Sequence, residues 1–332
     1  MSAPGRPKGE HRRATPEGAP VSSPVNAPRR WDLLAFGDPC ADVVVAIPET
    51  PQPGEKVLGR ALGVFAGGTT ANTACAFAKL GGRAAVHGRV GDDAHATLLR
   101  DSLQAFGVNT EHLHSEPGSA SASVIAMVPP SGDRAIVYMP MAPRGLQADD
   151  LAAAVSQSRI FYAMPYDLDE FIAASRIAHD HGALVAIDLE AAVAPDPEAM
   201  RQRIAHADIV FFNESGFVAG TGERPTPQAL AALAGNGTQT IVVTLGAAGA
   251  VATERGVFAK QAAFAQQVAD TTGAGDTFNA AFLVLWLEGR ELDACLRFAC
   301  AAAGHVVTAI GARSGMPNRA TVERSLAGTL PC

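Results

Sequence analysis

The sequence has no CxxC pair, no HExxH and no apolar run of the roughly 18–20 residues that a membrane-spanning helix needs. Its five cysteines (Cys40, Cys75, Cys295, Cys300, Cys332) are an odd number with no metal-ligand spacing. They point to neither a zinc knuckle nor a disulfide framework, and read as small core residues in a reducing, cytoplasmic compartment. The histidine pairs His112/His114 and His179/His181 stand two apart and give no metal signature on their own. Only four lysines occur (Lys8, Lys56, Lys79, Lys260), and none follows a glycine. A Walker A loop, which needs Gly-Lys-Ser/Thr, is therefore absent. Positive charge is also short. The net charge of −7 argues against a protein that grips nucleic-acid backbone.

What is present is apolar material. Hydrophobic residues make up 48% of the 332 and charged residues 18%, enough for a sizeable core in one large domain or two modest ones. Residues 1–30 are different. They carry six basic side chains against two acidic ones, hold six prolines and have almost no large apolar groups. Such a segment cannot bury enough surface to offset its ordering entropy, so a disordered, basic, Pro-rich tail is expected over 1–30. It lacks the apolar centre of a signal peptide.

From Trp31 onward strand and helix patterns alternate. Residues 32–37 and 42–47 read as strands, and 56–66, with glycines on both flanks, as a strand pair. Residues 70–80 form a helix of small residues stopped by Gly81 and Gly82. Strand 84–91 and helix 92–107 follow. The stretches SASASVIAMV and RAIVYMP flank PPSGD, a hairpin signal within 119–140. Helices at 151–158, 168–182 and 226–237 then alternate with strands at 159–164, 183–189, 207–213 and 240–246. This alternation means right-handed βαβ units and an α/β fold with a parallel sheet. The two stretches without helices, 43–66 and 118–141, are placed together as a small β-sheet lid. Residues 31–42, 67–117 and 142–332 make the core. The lid is placed at the carboxyl edge of the sheet, where ligands bind in open α/β folds.

The strongest local signal is DTTGAGDTFN at 270–279, opening a strongly apolar helix. Gly273, Ala274 and Gly275 are small enough for their N–H groups to face outward at a helix N-terminus, which favours an anion. Asp276 falls in the first turn, where a carboxylate can take a proton from a hydroxyl that attacks phosphorus. The competing reading is an Asp that caps a helix after a tight turn. A dinucleotide-binding reading fails, because Phe278 stands where the third glycine belongs. A second element, Gly67 and Gly68 followed by Asn72, lets a ligand approach the backbone and offers an amide to a sugar hydroxyl. A plain loop-to-helix entry explains it equally well. A third, Thr244 with Gly246 and Gly249 after a strand, suits phosphate.

These three elements, in this order, make the chain similar to the ribokinase-like (PfkB) family of carbohydrate and nucleoside kinases, from about residue 32 to 325. The resemblance implies a doubly wound, mainly parallel sheet flanked by helices, with a small β-sheet lid. It implies transfer of the γ-phosphoryl group of ATP to an alcohol, with Mg2+. By position, Asp276 matches the catalytic base and Gly273, Ala274 and Gly275 the anion hole. Asp42 matches the carboxylate that holds substrate hydroxyls, with Gly67, Gly68 and Asn72 as further substrate contacts. Asn213 matches the asparagine near the phosphates and Mg2+, and Thr244, Gly246 and Gly249 the ATP side. Cys300 falls where a side chain meets adenine. Asp270 and Thr272 match a monovalent-cation site, which implies K+. The resemblance also implies a homodimer formed through the lid, with a small sugar or nucleoside as substrate and neither nucleic acid nor membrane as partner.

Departures from the family pattern are specific. Gly216 stands where an Asn-x-x-Glu motif has glutamate, and Glu190, in Asp188-Leu189-Glu190, is the candidate replacement near Mg2+. Thr69 stands where ribokinase has a lysine, and Pro165 and Tyr166 where it has a glutamate. Tyr166, Met139 and Met141 point to a less polar or larger substrate than ribose. Two functions stay open at this level: an ATP-dependent sugar or nucleoside kinase, and a catalytically weakened binding protein of the same fold, suggested by Gly216.

Overall fold

A computed structural model describes residues 29–130, 135–234, 239–264 and 266–328. In chain order the first half comprises β1 (Trp31–Phe36), β2 (Cys40–Ala46), β3 (Arg60–Gly67), α1 (Thr69–Lys79), β4 (Ala84–Val90), α2 (Ala94–Ala105), β5 (Asn109–Ser115), β6 (Ser123–Val128) and β7 (Ala135–Met139). Next come α3 (Ala148–Val155), β8 (Ser158–Ala163), α4 (Leu168–Asp180), β9 (Leu184–Leu189), α5 (Pro197–Ile204), β10 (Ile209–Asn213), α6 (Glu214–Thr221) and α7 (Pro227–Leu233). The last part holds β11 (Thr240–Thr244), β12 (Ala250–Glu254), β13 (Val257–Gln261), α8 (Ala274–Leu287), α9 (Leu292–Val306) and α10 (Arg319–Leu326).

Nine strands form one sheet in the order β13-β12-β11-β10-β9-β8-β1-β4-β5. Seven neighbours are mutually parallel, and at one edge β12 is reversed, pairing antiparallel with both β11 and β13. The central strands are continuous apolar runs such as IVFFN in β10, because both faces are covered. Helices α1, α2, α8 and α9 pack one face, and α3 to α7 the other. Helix α8 is buried from Thr277 to Leu285, which explains why it is apolar nearly all round. The strand order reverses between β1 and β8. A crevice opens outside the carboxyl ends of the strands at such a point.

The small sheet has the order β3-β2-β6-β7 and stands over that crevice. Its register sorts two rows of side chains. Phe65, Asp42, Val124 and Tyr138 pair across one face, and Val64, Val43, Ile125 and Val137 across the other. Pleating puts successive residues on opposite faces, so Asp42 is carried on the cleft side with Val124 and Tyr138.

Three expectations shift. Residues 56–66 supply one strand rather than a pair. Strand β3 finds a partner only from Arg60 onward, where β2 ends at Ala46, and residues 56–59 carry no regular structure. Most of the expected tail, residues 1–28, lies outside the described residues, but Arg29 and Arg30 belong to the fold. The Arg29 guanidinium donates to the carbonyls of Ser158 at 2.8 Å and His181 at 2.7 Å. Arg30 stacks on Trp31, 4.6 Å from the ring centre, and pairs with Glu111 at 2.8 Å. The hairpin turn within PPSGD and the end of the expected helix 226–237 fall partly outside the described residues. Among the described residues no helix is long and apolar enough to cross a membrane.

Candidate active site

A cleft of about 1920 Å³ runs along the carboxyl ends of the strands beneath the small sheet. Asp42, Gly68 and Asn72 line it with Asp276, Gly273, Gly275, Asp270 and Thr272. Glu190, Asn213, Thr244 and Gly246 line it too. Residues from positions 42 to 276 therefore meet in one space, as the three glycine-bearing elements suggested. Four expected residues stand back from it. Gly67 contributes its carbonyl to a buried bond. Ala274 is the first residue of α8. Gly249 (φ 96) lies against β13, where a Cβ would come within 2.0 Å of the Gln261 carbonyl. Cys300 is a correction. It lies in the middle of α9, 6% exposed among apolar core side chains, and burial pushes its thiol up to about 12. Helix α9 turns that face inward, so Cys300 does not present a side chain to the cleft.

Helix α8 starts at a left-handed residue, Gly273 (φ 77), and no side chain caps it. Its first-turn N–H groups are thus free to meet an anion. Glycine is needed at 273 for a second reason. A Cβ there would sit 2.4 Å from the Ala312 carbonyl, since the loop at 311–313 rests on it. Gly68, the N-cap of α1, also has a positive φ of 91, with Cys40 N 2.9 Å from where its Cβ would be. At Gly67 a Cβ would strike the Asp42 carboxylate at 2.3 Å, so the acid lies directly on that backbone.

The residue that sequence reasoning missed is Arg313. It is 8% exposed and makes three bonds: Nε to Asn72 Oδ1 at 2.8 Å, one terminal nitrogen to Ser102 Oγ at 2.8 Å, and the other to the Gly67 carbonyl at 2.9 Å. With its carbonyl held by Arg313, Asn72 turns its amide nitrogen to Asp276 Oδ2 at 2.8 Å. Asn72, expected as a substrate contact, is therefore a link between a buried guanidinium and the candidate base. Arg203 plays a comparable part under the cleft wall. It donates to the carbonyls of Pro165 at 2.7 Å and Tyr166 at 2.9 Å and fixes the turn after β8. Tyr166 then stacks on Tyr138 of the small sheet, with centroids 6.4 Å apart and planes at 28°.

The cleft gathers acids. Burial pushes Asp276 up to about 7, the Glu190 charge adds to the rise, and the Asn72 hydrogen bond opposes it. Burial raises Asp42 to about 6 against a hydrogen bond from Cys40 and the charge of Arg313. Asp188 is held well above its usual range by burial and by the charges of Glu190 and Asp276. It accepts a 2.9 Å bond from Asn279, which also donates to Tyr162 at 3.0 Å. Burial alone raises Glu190. Gly216 has no room for a side chain. A Cβ there would lie 2.4 Å from the Leu189 carbonyl and 3.0 Å from Glu190 Cα. The backbone that carries Glu190 thus occupies the space a residue-216 carboxylate would need. Asn213 caps α6, accepting from Gly216 N at 2.7 Å. Asp270 accepts from Thr272 N at 2.9 Å, Thr272 Oγ1 at 2.7 Å and Gly311 N at 2.9 Å.

Replacing Arg313 by methionine orphans two buried acceptors, Asn72 Oδ1 and the Gly67 carbonyl, each costing about 1–3 kcal/mol, and frees the half-buried Ser102 hydroxyl. Arg313→Met should therefore lower the urea midpoint and reduce kcat, with a smaller change in the KM for nucleotide. Wild-type stability in that variant would show that the guanidinium holds nothing in place.

Comparison with known proteins agrees with this geometry. The family model described as pfkB family carbohydrate kinase matches residues 32–319. The ribokinase of Bacillus subtilis is 31% identical over 305 residues, covering 89% of this chain and 99% of its own. A deoxyribokinase of Salmonella typhi is 25% identical over 299 residues, covering 86% and 96%. The structure of Arabidopsis thaliana ribokinase complexed with ribose and ATP superposes with a TM-score of 0.80 at 30% identity, covering 89% of this chain and 98% of that one. With an uncapped helix N-terminus, a group of acids and a small sheet gathered at one cleft, the chain belongs to the pfkB family of carbohydrate kinases.

Proposed function

We propose that Asp276 is the general base with which this carbohydrate kinase moves the γ-phosphoryl group of ATP onto a sugar hydroxyl. The observation that carries this is the 2.8 Å bond from Asn72 to Asp276 Oδ2, which fixes the carboxylate in the first turn of α8 beside the uncapped N–H groups. One oxygen is held and the group faces the cleft, so the other can take a hydroxyl proton as the oxygen attacks phosphorus. The same N–H groups meet the charge that builds on the transferring phosphoryl oxygens. Asp42, on the opposite wall, accepts hydroxyl protons of the sugar. The stacked Tyr138 and Tyr166 supply an apolar side to the pocket, which supports a sugar or nucleoside less polar than ribose at that end. The Arabidopsis thaliana ribokinase is complexed with ribose and ATP together, which supports ATP as donor.

Mg2+ takes one or two carboxylates together with substrate phosphates and keeps several waters. The chemistry it would supply here is positive charge against that of the phosphates. Glu190 is the acid we assign to its shell, because its carboxyl is desolvated in the cleft and Gly216 cannot carry the usual glutamate. Asp270 and Thr272, tied to the 311 backbone, are the residues proposed for K+. The outer row Val64, Val43, Ile125 and Val137 leaves an apolar sheet face open, with Val64 and Val137 44% and 47% exposed. Such a face on a small sheet is covered by an equal one in a two-fold pair, so a homodimer through the small sheets is proposed.

Asp276→Asn should lower kcat by about 10²–10⁴-fold while ATP affinity holds. More than about a tenth of wild-type kcat would overturn the assignment. The pH profile gives a second check. A base must be ionised, and this carboxyl titrates at about 7. The free-enzyme kcat/KM should therefore fall about tenfold per pH unit below that value. Stability should run the other way. Between the unfolded value of 3.8 and about 7 the native state binds the proton more tightly. This carboxyl's contribution is therefore full at low pH and declines as pH rises through that window.

Glu190→Gln should raise the Mg2+ concentration for half-maximal rate by about 10–100-fold. Gly216→Glu should not lower it, because the added Cβ meets backbone, and should instead cost stability. An unchanged Mg2+ requirement in Glu190→Gln removes that residue from the metal's surroundings. Light scattering at micromolar concentration should give twice the chain mass for the wild type and a single chain mass for Val137→Asp. A monomeric wild type would refute pairing.

A further inference from the structure

A second cluster lies in the cleft wall, away from the acids just described. His87 on β4 pairs in register with His112 on β5, and His114 follows two residues on, so all three project from one face of the sheet. Helix α3 brings Asp150, in its first turn, onto that face. Asp150 Oδ2 lies 2.9 Å from His87 Nε2 and 2.7 Å from His114 Nε2, and Oδ1 lies 3.6 Å from His112 Nδ1. The ligating atoms of His87, His114 and Asp150 all fall within 4.8 Å of one another, the one such group among the described residues. The neighbouring cation, Arg89, is turned onto Asp38 at 2.9 Å and does not occupy the cluster's carboxylate.

We propose that His87, His114 and Asp150 form a binding site for a divalent transition cation of the zinc class, with its fourth position open to the cleft. Two neutral imidazoles and one carboxylate are the donor set that zinc takes in open sites, at about 2.0–2.2 Å. A tetrahedron of that size has edges of about 3.3 Å, so the two nitrogen–oxygen distances need open by only about half an ångström. The rings are already set. His87 stacks on Phe36, with centroids 5.5 Å apart, and lies nearly parallel to His112 at 6.3 Å. His112, 8% exposed, keeps its Nδ1 3.6 Å from the second carboxylate oxygen, beside the ligands but outside hydrogen-bond range. His114 and Asp150 reach the cleft, which gives the ion a path in. Bound there, the ion ties the start of α3 to β4 and β5, at the end of the sheet opposite β10 and β11. Its open position takes water or a cleft ligand. None of the residues proposed for phosphoryl transfer belongs to this set, so the site stands or falls independently of the kinase reading.

The test uses the full-length protein after chelator dialysis, with Zn2+ alone and no nucleotide, in competition with a chromophoric chelator. The wild type should bind one equivalent at micromolar affinity or tighter. Asp150→Asn, which keeps the shape of the side chain, and His114→Ala, at the half-exposed ligand, should bind at least 10-fold more weakly. Asp276→Asn, which alters the cleft acids, and His179→Ala, whose ring pairs with Asp208 elsewhere at 3.0 Å, should bind as the wild type does. Co2+ should give visible bands of low coordination number in the wild type and lose them in Asp150→Asn. Zn2+ should raise the Tm of the wild type and not that of Asp150→Asn. No zinc bound by the wild type at micromolar concentration, or undiminished binding by Asp150→Asn, would show a hydrogen-bonded network only and overturn the proposal.

Discussion

The site depends on one buried guanidinium. A charge that is 8% exposed is costly unless every donor is used, and Arg313 uses its fork on three separate segments: α1 through Asn72, α2 through Ser102, and the end of β3 through the Gly67 carbonyl. Because a fork is planar and rigid, satisfying it fixes those segments relative to one another. Asn72 then has a single orientation, carbonyl to the arginine and amide to Asp276. The loop bearing Arg313 also rests on Gly273, so the same few residues place the helix N-terminus and the carboxylate beside it. The geometry around Asp276 is thus held by a side chain that does not itself line the cleft.

Around that anchor the cleft concentrates acids that the fold keeps out of water. Burial lifts Asp42, Asp188, Glu190 and Asp276 together, and each raises the cost of ionising a neighbour. Carboxylates held above their usual range suit a site in which a proton is to leave a hydroxyl beside anionic phosphate. The protein's cations are placed to brace rather than to neutralise. Arg203 is turned under the cleft wall onto main-chain carbonyls, and Arg89 is matched to Asp38. Close backbone approaches at Gly67, Gly216 and Gly273 complete the arrangement, since a side chain there would displace Asp42, the backbone that carries Glu190 or the loop that carries Arg313.

Much of this was legible as local chemistry. The apolar runs of β8 to β11 and the alternation of strand and helix determined a parallel α/β sheet, because backbone hydrogen bonding and burial leave few other ways to cover both faces. The stretch DTTGAGD determined a helix N-terminus without bulky side chains and an acid in its first turn, because these depend on neighbours in the chain. What only the tertiary structure decided are contacts between distant positions. Asn72 and Arg313 are 241 residues apart, and nothing near either one marks the pair. Cys300 looked available from its place in the chain, yet α9 turns it into the core. Glu190 matters through the backbone that closes off Gly216. His112 and His114 carried no meaning as a spaced pair. They acquire it only when strand register sets His87 beside them and α3 delivers Asp150 from across the sheet. Sequence fixes what a residue can do within a turn or two. Which residues meet is set by how sheet and helices pack, since that packing alone joins segments that the chain keeps far apart.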